Sequence, residues 1–82
     1  MSFSERVLRI VSQIPRGKVL TYGEVARQAG QSRAARAVGR IMNANCDPNV
    51  PCHRVVSKDG IGGFNRGVKE KRARLRREGV IL

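Results

Sequence analysis

The strongest constraint on this fold is a pair of short helical patterns separated by Gly30. Thr21 and Glu24 have the spacing of a capping box, in which an N-cap hydroxyl and a glutamate three residues later satisfy each other's backbone N–H groups. Ser32 offers a second N-cap, and the small and apolar residues after it predict another helix. Two short helices joined by a tight turn predict a helix-turn-helix over residues 21–44.

An amphipathic helix is predicted before this motif. Its apolar residues follow the i, i+3, i+4, i+7 spacing of one helical face, at Val7, Ile10, Val11 and Ile14. Ser4 or Ser2 is the expected N-cap, and Pro15 with Gly17 is expected to end the helix. The connector that follows, residues 18–20, is short and can be extended.

A loop and a small β element are predicted after the motif. Residues 45–49 are dense in turn formers, and the β-branched residues that follow favour a short strand within residues 50–56. Asp59 and Gly60 form a turn signal that reverses the chain. A glycine-rich arm would then return, so that residues 55–67 form a hairpin wing.

A last helix is predicted over residues 68–78, with Gly79 closing it. Its inward-facing residues are expected to be Val68, Ala73 and Leu75, among many basic side chains. The predicted fold class is therefore mainly α with a small β wing. We expect a winged helix-turn-helix that forms a single domain over residues 1–82.

Charge and length bound the class of protein. Within 82 residues, 17 Lys and Arg stand against 6 Asp and Glu, for a net charge of +11. Such a field attracts polyanions, and a chain of this length supports one small core. We expect no membrane span, since no apolar run approaches the roughly 20 residues needed, and no signal peptide. A cytoplasmic protein with Cys46 and Cys52 reduced is therefore expected.

The stretch from Pro51 to Val55 carries the chemistry of the chain. It places Cys52 directly beside His53, the single histidine of the sequence. A thiol attacks as its thiolate, and a neighbouring base or positive charge makes the thiolate available near neutral pH. Together with the basic helix-turn-helix, this predicts a reactive cysteine that is presented to nucleic acid.

These residues and their neighbours resemble the DNA-binding, catalytic domain of the O6-alkylguanine-DNA alkyltransferases, the methylated-DNA–protein-cysteine methyltransferases. The similarity runs in order along nearly the whole chain. It is carried by the blocks Val19–Ala26, Arg33–Gly39, Pro51–Val56, Gly62–Phe64 and Glu78–Gly79. The Pro-Cys-His-Arg motif alone would be weak evidence, but five blocks in order are not expected by chance. By this resemblance, residues 45–56 would form the active-site loop.

The resemblance implies a direct, single-turnover repair reaction. In it, Cys52 takes an alkyl group such as methyl from O6 of a guanine that has been flipped out of the duplex. His53 would act as a base through a bridging water, and Glu78 would steady it. Tyr22 would give a proton or hydrogen bond to the base as O6 leaves. No metal and no organic cofactor is implied, because the base delocalises the charge left on oxygen or is protonated.

The resemblance also assigns residues to DNA and base binding. Arg36 would be an arginine finger that fills the space left by the flipped guanine. Asn45 would tie the recognition helix to the active-site loop, and the backbones of Val55 and Asn65 would border the base. The other binding positions in the matching blocks are Arg33, Ala35, Gly39, Pro51, Arg54 and Phe64.

The expected partner is double-stranded DNA containing O6-alkylguanine, bound by a monomer without any membrane partner. The helix-turn-helix of this family approaches the minor groove. A face of small residues suits a narrow groove and offers few groups that distinguish bases, and it consists of Ala34, Ala35, Ala37 and Gly39. Binding is therefore expected to be largely sequence-independent and salt-sensitive, and to associate the protein with the nucleoid.

Three features depart from the family pattern. The N-terminal domain of many members is absent, which predicts a minimal catalytic domain of reduced stability. Asn45 precedes Cys52 by seven residues, one fewer than in familiar members, and this bears on the range of alkyl groups admitted. Phe64 stands where a tyrosine is usual, so the ring is kept and the hydroxyl is lost.

Three other interpretations are open at this point. Alkyltransferase-like proteins share this domain and bind the same lesions without transfer, but they lack the cysteine. A winged-helix transcription regulator with a redox thiol would need a dimer surface and a sequence preference. A zinc site could use Cys46, Cys52 and His53, although structural zinc normally takes four ligands.

Overall fold

Four helices and two short strands form within residues 1–45, 47–64 and 66–81, which the computed structural model describes. In chain order they are α1 (Phe3–Ser12), β1 (Leu20–Thr21), α2 (Tyr22–Gln28), α3 (Ala35–Ala44), a 3₁₀ turn (Cys52–Arg54), β2 (Val55–Val56) and α4 (Val68–Arg77). The predicted class is confirmed as a mainly helical domain with a small sheet.

Helix α1 begins at a capping box formed by Ser2 rather than Ser4. Ser2 Oγ accepts a hydrogen bond from Glu5 N at 3.1 Å, and Glu5 Oε1 accepts one from Ser2 N at 3.0 Å. Val7 and Val11 are completely buried against α2 and α3, and burying each side chain stabilises the fold by about 1.5–3 kcal/mol. The predicted apolar face is thus the face that packs.

Helix α2 begins as the sequence predicts. Thr21 Oγ1 accepts a hydrogen bond from Glu24 N at 3.1 Å, and Glu24 Oε1 accepts one from Thr21 N at 3.0 Å. The chain leaves the helix through Gly30, whose φ of +91° is disfavoured for residues with a Cβ. Helix α2 then packs against α3, which gives the predicted pair of helices.

The predicted start of α3 is wrong by two residues. Ala34, not Ser32, is the N-cap, and it makes no side-chain capping bond. The Ala34 N–H instead bonds to the Gln31 carbonyl at 3.0 Å, because residues 31–34 are used to reverse the chain between the helices. Arg33 therefore lies exposed in this turn and not on α3.

The predicted hairpin is wrong in its pairing. Strand β2 runs parallel to β1, with Leu20 opposite Val55 and Thr21 opposite Val56. Among the described residues, the antiparallel part of the wing is reduced to a single bridge between Ser57 and Gly60. The returning arm turns inward instead of extending this bridge, and its Gly63 carbonyl accepts hydrogen bonds from Tyr22 of α2 and Lys71 of α4.

Helix α4 buries a different set of residues from the predicted one. Leu75 is completely buried as expected, but Val68 is 44% exposed and Ala73 is exposed. Lys71, one helical turn before Leu75, is completely buried in their place. Because α4 packs on the 3₁₀ turn, the face that carries Lys71 and Leu75 is the one that is covered.

Candidate active site

Cys52 opens the 3₁₀ turn that follows the loop after α3. Its backbone N–H bonds to the Val50 carbonyl at 2.8 Å, and Pro51 precedes it as the cap of the turn. Asn45 Nδ2 donates a hydrogen bond to Cys52 Sγ at 3.3 Å. The end of α3 is therefore linked directly to the sulfur, and the side chain of Cys52 is half-buried.

His53 and Arg54 meet the same carboxylate behind the cysteine. Glu78, at the C-terminal end of α4, accepts two hydrogen bonds from Arg54, at 2.9 Å on Oε1 and 2.7 Å on Oε2. Its Oε2 also lies 2.9 Å from His53 Nε2. The hydrogen bonds from Arg54, and then from His53, lower the pKa of Glu78 to about 2. Glu78 thus stays ionised and fixes the orientation of the imidazole.

The low pKa of Glu78 predicts a change in acid stability. A depressed carboxylate pKa stabilises the fold above its ordinary value of 4.5, and this contribution is lost as pH falls through about 2. Glu78→Gln should lower the free energy of unfolding by about 2 kcal/mol near neutral pH. The difference between variant and wild type in free energy of unfolding should shrink steadily as the pH falls from 4.5 to about 2. Urea denaturation at each pH measures this difference.

The control for this series is Asp59→Asn, which removes an exposed carboxylate from the wing turn. Its difference from wild type should stay small and independent of pH. A constant deficit of Glu78→Gln down to the lowest pH would contradict the assignment, because it would show a loss of packing rather than of charge.

Tyr22 and Lys71 converge on the carbonyl of Gly63. Tyr22 Oη donates to it at 3.3 Å and Lys71 Nζ at 2.9 Å, and Nζ also donates to the Val55 carbonyl at 2.6 Å. Nζ lies 5.7 Å from the centroid of the Tyr22 ring. Burial raises the pKa of Tyr22 and lowers the pKa of Lys71 to about 8. These contacts hold the wing arm and the Tyr22 hydroxyl in fixed positions.

Gly62 is required where the wing arm passes Tyr22. Its φ is +75°, and a Cβ there would lie 3.0 Å from Tyr22 Oη and 3.1 Å from Ser57 N. Gly62→Ala is therefore expected to cost about 2–3 kcal/mol in urea denaturation. The adjacent Gly63→Ala is a matched control, because a Cβ at Gly63 has nothing within 4 Å. Equal losses for the two variants would contradict this account.

An open cavity of about 550 Å³ lies between α3, Tyr22 and the 3₁₀ turn, within the size range of ligand sites in proteins. It collects six of the predicted site residues, namely Tyr22, Ala35, Arg36, Gly39, Cys52 and Phe64. Arg36 and Arg40 add positive charge to a wall that is otherwise largely apolar. The cavity therefore combines a largely apolar wall with two arginines and the Cys52 thiol.

Other predicted residues lie elsewhere. Asn45, Pro51 and His53 border a second cavity behind Cys52, and Glu78 acts on His53. Arg54 also borders this cavity, where its nitrogens donate to Glu78 and to the Ile14 carbonyl. Its predicted contact with the substrate stays a prediction.

Val55 and two further positions complete the comparison with the predicted site. The Val55 side chain is completely buried and its carbonyl accepts a hydrogen bond from Lys71. The predicted place of its backbone beside the base stays a prediction. Arg33 lies outside both cavities. The predicted role of Asn65 falls outside the described residues.

Sequence reasoning missed Lys71 and the Gly63 carbonyl. A signal for Lys71 was present, because it lies four residues before Leu75 and so on the covered stripe of the helix. A lysine is rarely buried unless its ammonium group is paired, so a lysine at such a position indicates a polar partner in the interior. The role of the Gly63 carbonyl could not be predicted from the sequence. Every residue has a backbone carbonyl, and its position depends on the fold of the whole chain.

The described residues contain neither a cluster of metal ligands nor a membrane-spanning helix. Among residues 1–45, 47–64 and 66–81, no group of three or more His, Cys, Asp or Glu side chains is gathered as metal ligands. Cys46, one member of the zinc interpretation, lies outside those ranges. In the same described part of the chain, no helix has the length and apolarity needed to cross a membrane.

The paired helices and the cysteine-lined cavity define a small helix-turn-helix domain with a thiol open to a ligand-sized space. A family model described as the 6-O-methylguanine DNA methyltransferase, DNA binding domain, matches residues 2–80. The chain belongs to this family.

Individual relatives agree with this assignment. A methylated-DNA–protein-cysteine methyltransferase of Saccharolobus islandicus is 48% identical over 83 residues, which cover 98% of this chain and 52% of the relative. The chain spans about half the length of the curated relatives it matches.

Solved structures show the same fold. Mycobacterium tuberculosis OGT, in complex with DNA, has a TM-score of 0.89 and 41% identity over 96% of this chain and 49% of that one. S. pombe Atl1, in complex with damaged DNA containing O6-carboxymethylguanine, has a TM-score of 0.84 and 39% identity over 96% of this chain and 77% of that one.

Proposed function

We propose that this domain binds double-stranded DNA and removes alkyl groups from O6 of guanine by transferring them to Cys52. The observation that carries the proposal is the position of Cys52, whose side chain borders the 550 Å³ cavity together with α3. A base turned out of a duplex that lies on α3 would enter this cavity and meet the sulfur. Similarity to methyltransferases over nearly the whole chain supports the same reaction.

The reaction is a displacement at the alkyl carbon. Cys52 Sγ forms a bond to this carbon as the bond from carbon to O6 breaks, and the electron pair passes into the guanine ring. The thiol proton leaves towards His53, which Glu78 orients from behind. Tyr22 Oη, which lines the cavity, supplies a hydrogen bond or proton to the departing base. The thioether is stable, so each molecule acts once.

DNA binding is proposed to use α3 and the positive charge of the domain. Arg36 and Arg40 stand at the cavity, and the net charge of +11 attracts the phosphate backbone. Ala35 and Gly39 leave the neighbouring surface of α3 without large side chains. Such a surface suits the minor groove and favours binding that is independent of sequence.

The proposal is tested on the DNA product. A duplex with one O6-methylguanine is incubated with increasing amounts of protein and then digested to nucleosides. The account predicts that O6-methyl-2′-deoxyguanosine disappears and deoxyguanosine increases in amounts equal to the protein added, and that the reaction then stops. Continued turnover would contradict it, because an alkylated Cys52 cannot react again.

A binding-only function is the second candidate, and similarity to S. pombe Atl1, solved with damaged DNA, favours it. In that case the domain would hold the lesion for other repair proteins. The same nucleoside measurement separates the two functions, because tight binding with an unchanged amount of O6-methyl-2′-deoxyguanosine would establish the second. The presence of Cys52 at the cavity wall supports transfer instead.

Arg36→Ala is expected to slow transfer on duplex DNA by about 10- to 100-fold, because the side chain that fills the vacated stack is lost. The rate with free O6-methylguanine base should fall much less, since no base has to be flipped. Single-turnover rates on both substrates measure this, with the exposed Arg27→Ala on α2 as a control. Equal slowing on both substrates would remove the finger role.

A further inference from the structure

Cys52 borders a second cavity that is distinct from the one containing α3. This second cavity has a volume of about 240 Å³ and is lined by the loop of residues 47–51 together with Arg66 and Arg74. The two cavities share Cys52 and Phe64. The cysteine therefore stands between a larger, mostly apolar space and a smaller space that is rich in charged side chains.

Two of the charged groups around the second cavity are already engaged. Arg54 donates from each of its three nitrogens, to Glu78 and to the Ile14 carbonyl, so these bonds fix its position and Glu78 offsets its charge. Asp47 accepts a hydrogen bond from Asn49 N at 2.9 Å and is exposed. Its negative charge opposes an anionic ligand but is outnumbered by the arginines.

Arg66 and Arg74 bring positive charge to the second cavity, and Glu70 offsets part of it through its ion pair with Arg74. Arg74 lies over the Phe64 ring, with its guanidinium carbon 5.5 Å from the ring centroid. Its Nε donates to Glu70 Oε1 at 2.8 Å, which orients the planar fork and leaves two terminal nitrogens as further donors. Arg66 is exposed beside the same cavity. A carboxylate is the partner that such guanidinium groups bind best.

The geometry of displacement directs the alkyl substituent towards this space. Attack requires sulfur, carbon and O6 in line, so the rest of the substituent lies to the side of that axis. With guanine in the first cavity, the second cavity is an adjoining space that Cys52 also borders. A methyl group would leave it empty, and a longer substituent would extend into it.

We propose that the second cavity is a subsite for the alkyl substituent and that Arg66 and Arg74 select substituents ending in a carboxylate, such as carboxymethyl. This inference rests on the proposed transferase function. A carboxylate bonded to the attacked carbon repels an incoming thiolate, and two nearby guanidinium groups offset this repulsion. A neutral substituent of the same shape gains nothing from them.

The reaction on such a lesion balances in the same way as methyl transfer. The bond from Cys52 Sγ to the methylene carbon forms while the bond from that carbon to O6 breaks. The electron pair passes to guanine, which takes up the proton released by the thiol. The products are guanine in DNA and S-carboxymethylcysteine, whose carboxylate stays in the second cavity.

The test compares two lesions that differ in charge but hardly in shape, O6-carboxymethylguanine and O6-carbamoylmethylguanine, in the same duplex. For the wild-type chain, the single-turnover rate on the first should exceed that on the second by about fivefold or more, as a partly exposed charge-assisted contact provides. In Arg66→Gln and Arg74→Gln this ratio should fall towards one. Arg72→Gln, an exposed arginine of α4, is the control and should keep the wild-type ratio.

Failure of the inference is distinct from failure of the proposed function. A wild-type ratio near one, or a ratio unchanged in both cavity variants, would overturn the inference while methyl transfer still supports the function. Loss of the ratio in Arg72→Gln as well would overturn it too, since net charge alone would then be responsible. No transfer from any lesion would refute the transferase function itself.

Discussion

Cys52→Ser is expected to reduce alkyl transfer from an O6-methylguanine duplex by more than about 10³-fold. Serine keeps the shape of the side chain, but its hydroxyl is a far weaker nucleophile than a thiolate at neutral pH. The hydrogen bond from Asn45 and the position at the cavity wall do not depend on sulfur as such. The single-turnover rate of product formation measures the effect directly.

Lesion binding should survive the same substitution. Because the charge and volume of the cavity hardly change, the affinity of Cys52→Ser for the lesion duplex should stay within about threefold of wild type. Fluorescence anisotropy at fixed salt provides this control. A collapse of affinity together with transfer would assign Cys52 a structural role, and retained transfer would place the acceptor elsewhere.

His53→Gln should have the second largest effect. Glutamine can keep a hydrogen bond to Glu78, but it lacks a nitrogen that takes up a proton at neutral pH. In the structure Nε2 of His53 is held by Glu78 at 2.9 Å, so the other ring nitrogen is the one left to accept the thiol proton. The transfer rate should therefore fall by about 10²-fold near neutral pH.

The pH dependence of His53→Gln separates chemistry from structure. Hydroxide takes over the role of the missing base as the pH is raised, so the rate of the variant should recover at alkaline pH. Urea denaturation at each pH is the control for folding. A deficit that stays constant with pH would show that His53 only supports the fold.

Local signals in the sequence predicted most of the helices. The capping boxes of Ser2 with Glu5 and Thr21 with Glu24 involve residues three positions apart, so the sequence itself contains both partners. The start of α3 was predicted wrongly because only local residues were considered. Ser32 fits the local N-cap pattern, but the turn between α2 and α3 places the N-cap at Ala34.

Long-range pairing was not predictable from these patterns. From the sequence, strand β2 could pair with a returning hairpin arm or with the connector before α2, because either segment can be extended. The structure shows pairing with the connector. The choice depends on Lys71 and Tyr22, which bind the Gly63 carbonyl and so divert the arm. The residues next to β2 in the sequence give no indication of these hydrogen bonds to Gly63.

The same distinction between local motifs and long-range contacts applies to the site residues. Cys52, Tyr22 and Arg36 were identified by resemblance, and the fold brings all three to one cavity. Arg54 belongs to the same motif as Cys52, but its side chain points towards the end of α4 and donates hydrogen bonds to Glu78. The second cavity had no sequence signature, because Arg74 reaches it from a helix that resembles an ordinary solvated basic face.

The central claim is that the Cys52 sulfur itself receives the alkyl group from a base held in the adjoining cavity. The most direct test is the mass of the protein after reaction with an O6-methylguanine duplex, followed by peptide mapping. We predict the gain of one methyl group per molecule, carried entirely by Cys52 and not by Cys46. An unchanged mass while the lesion duplex is bound, or a methyl group on any other residue, would contradict the account.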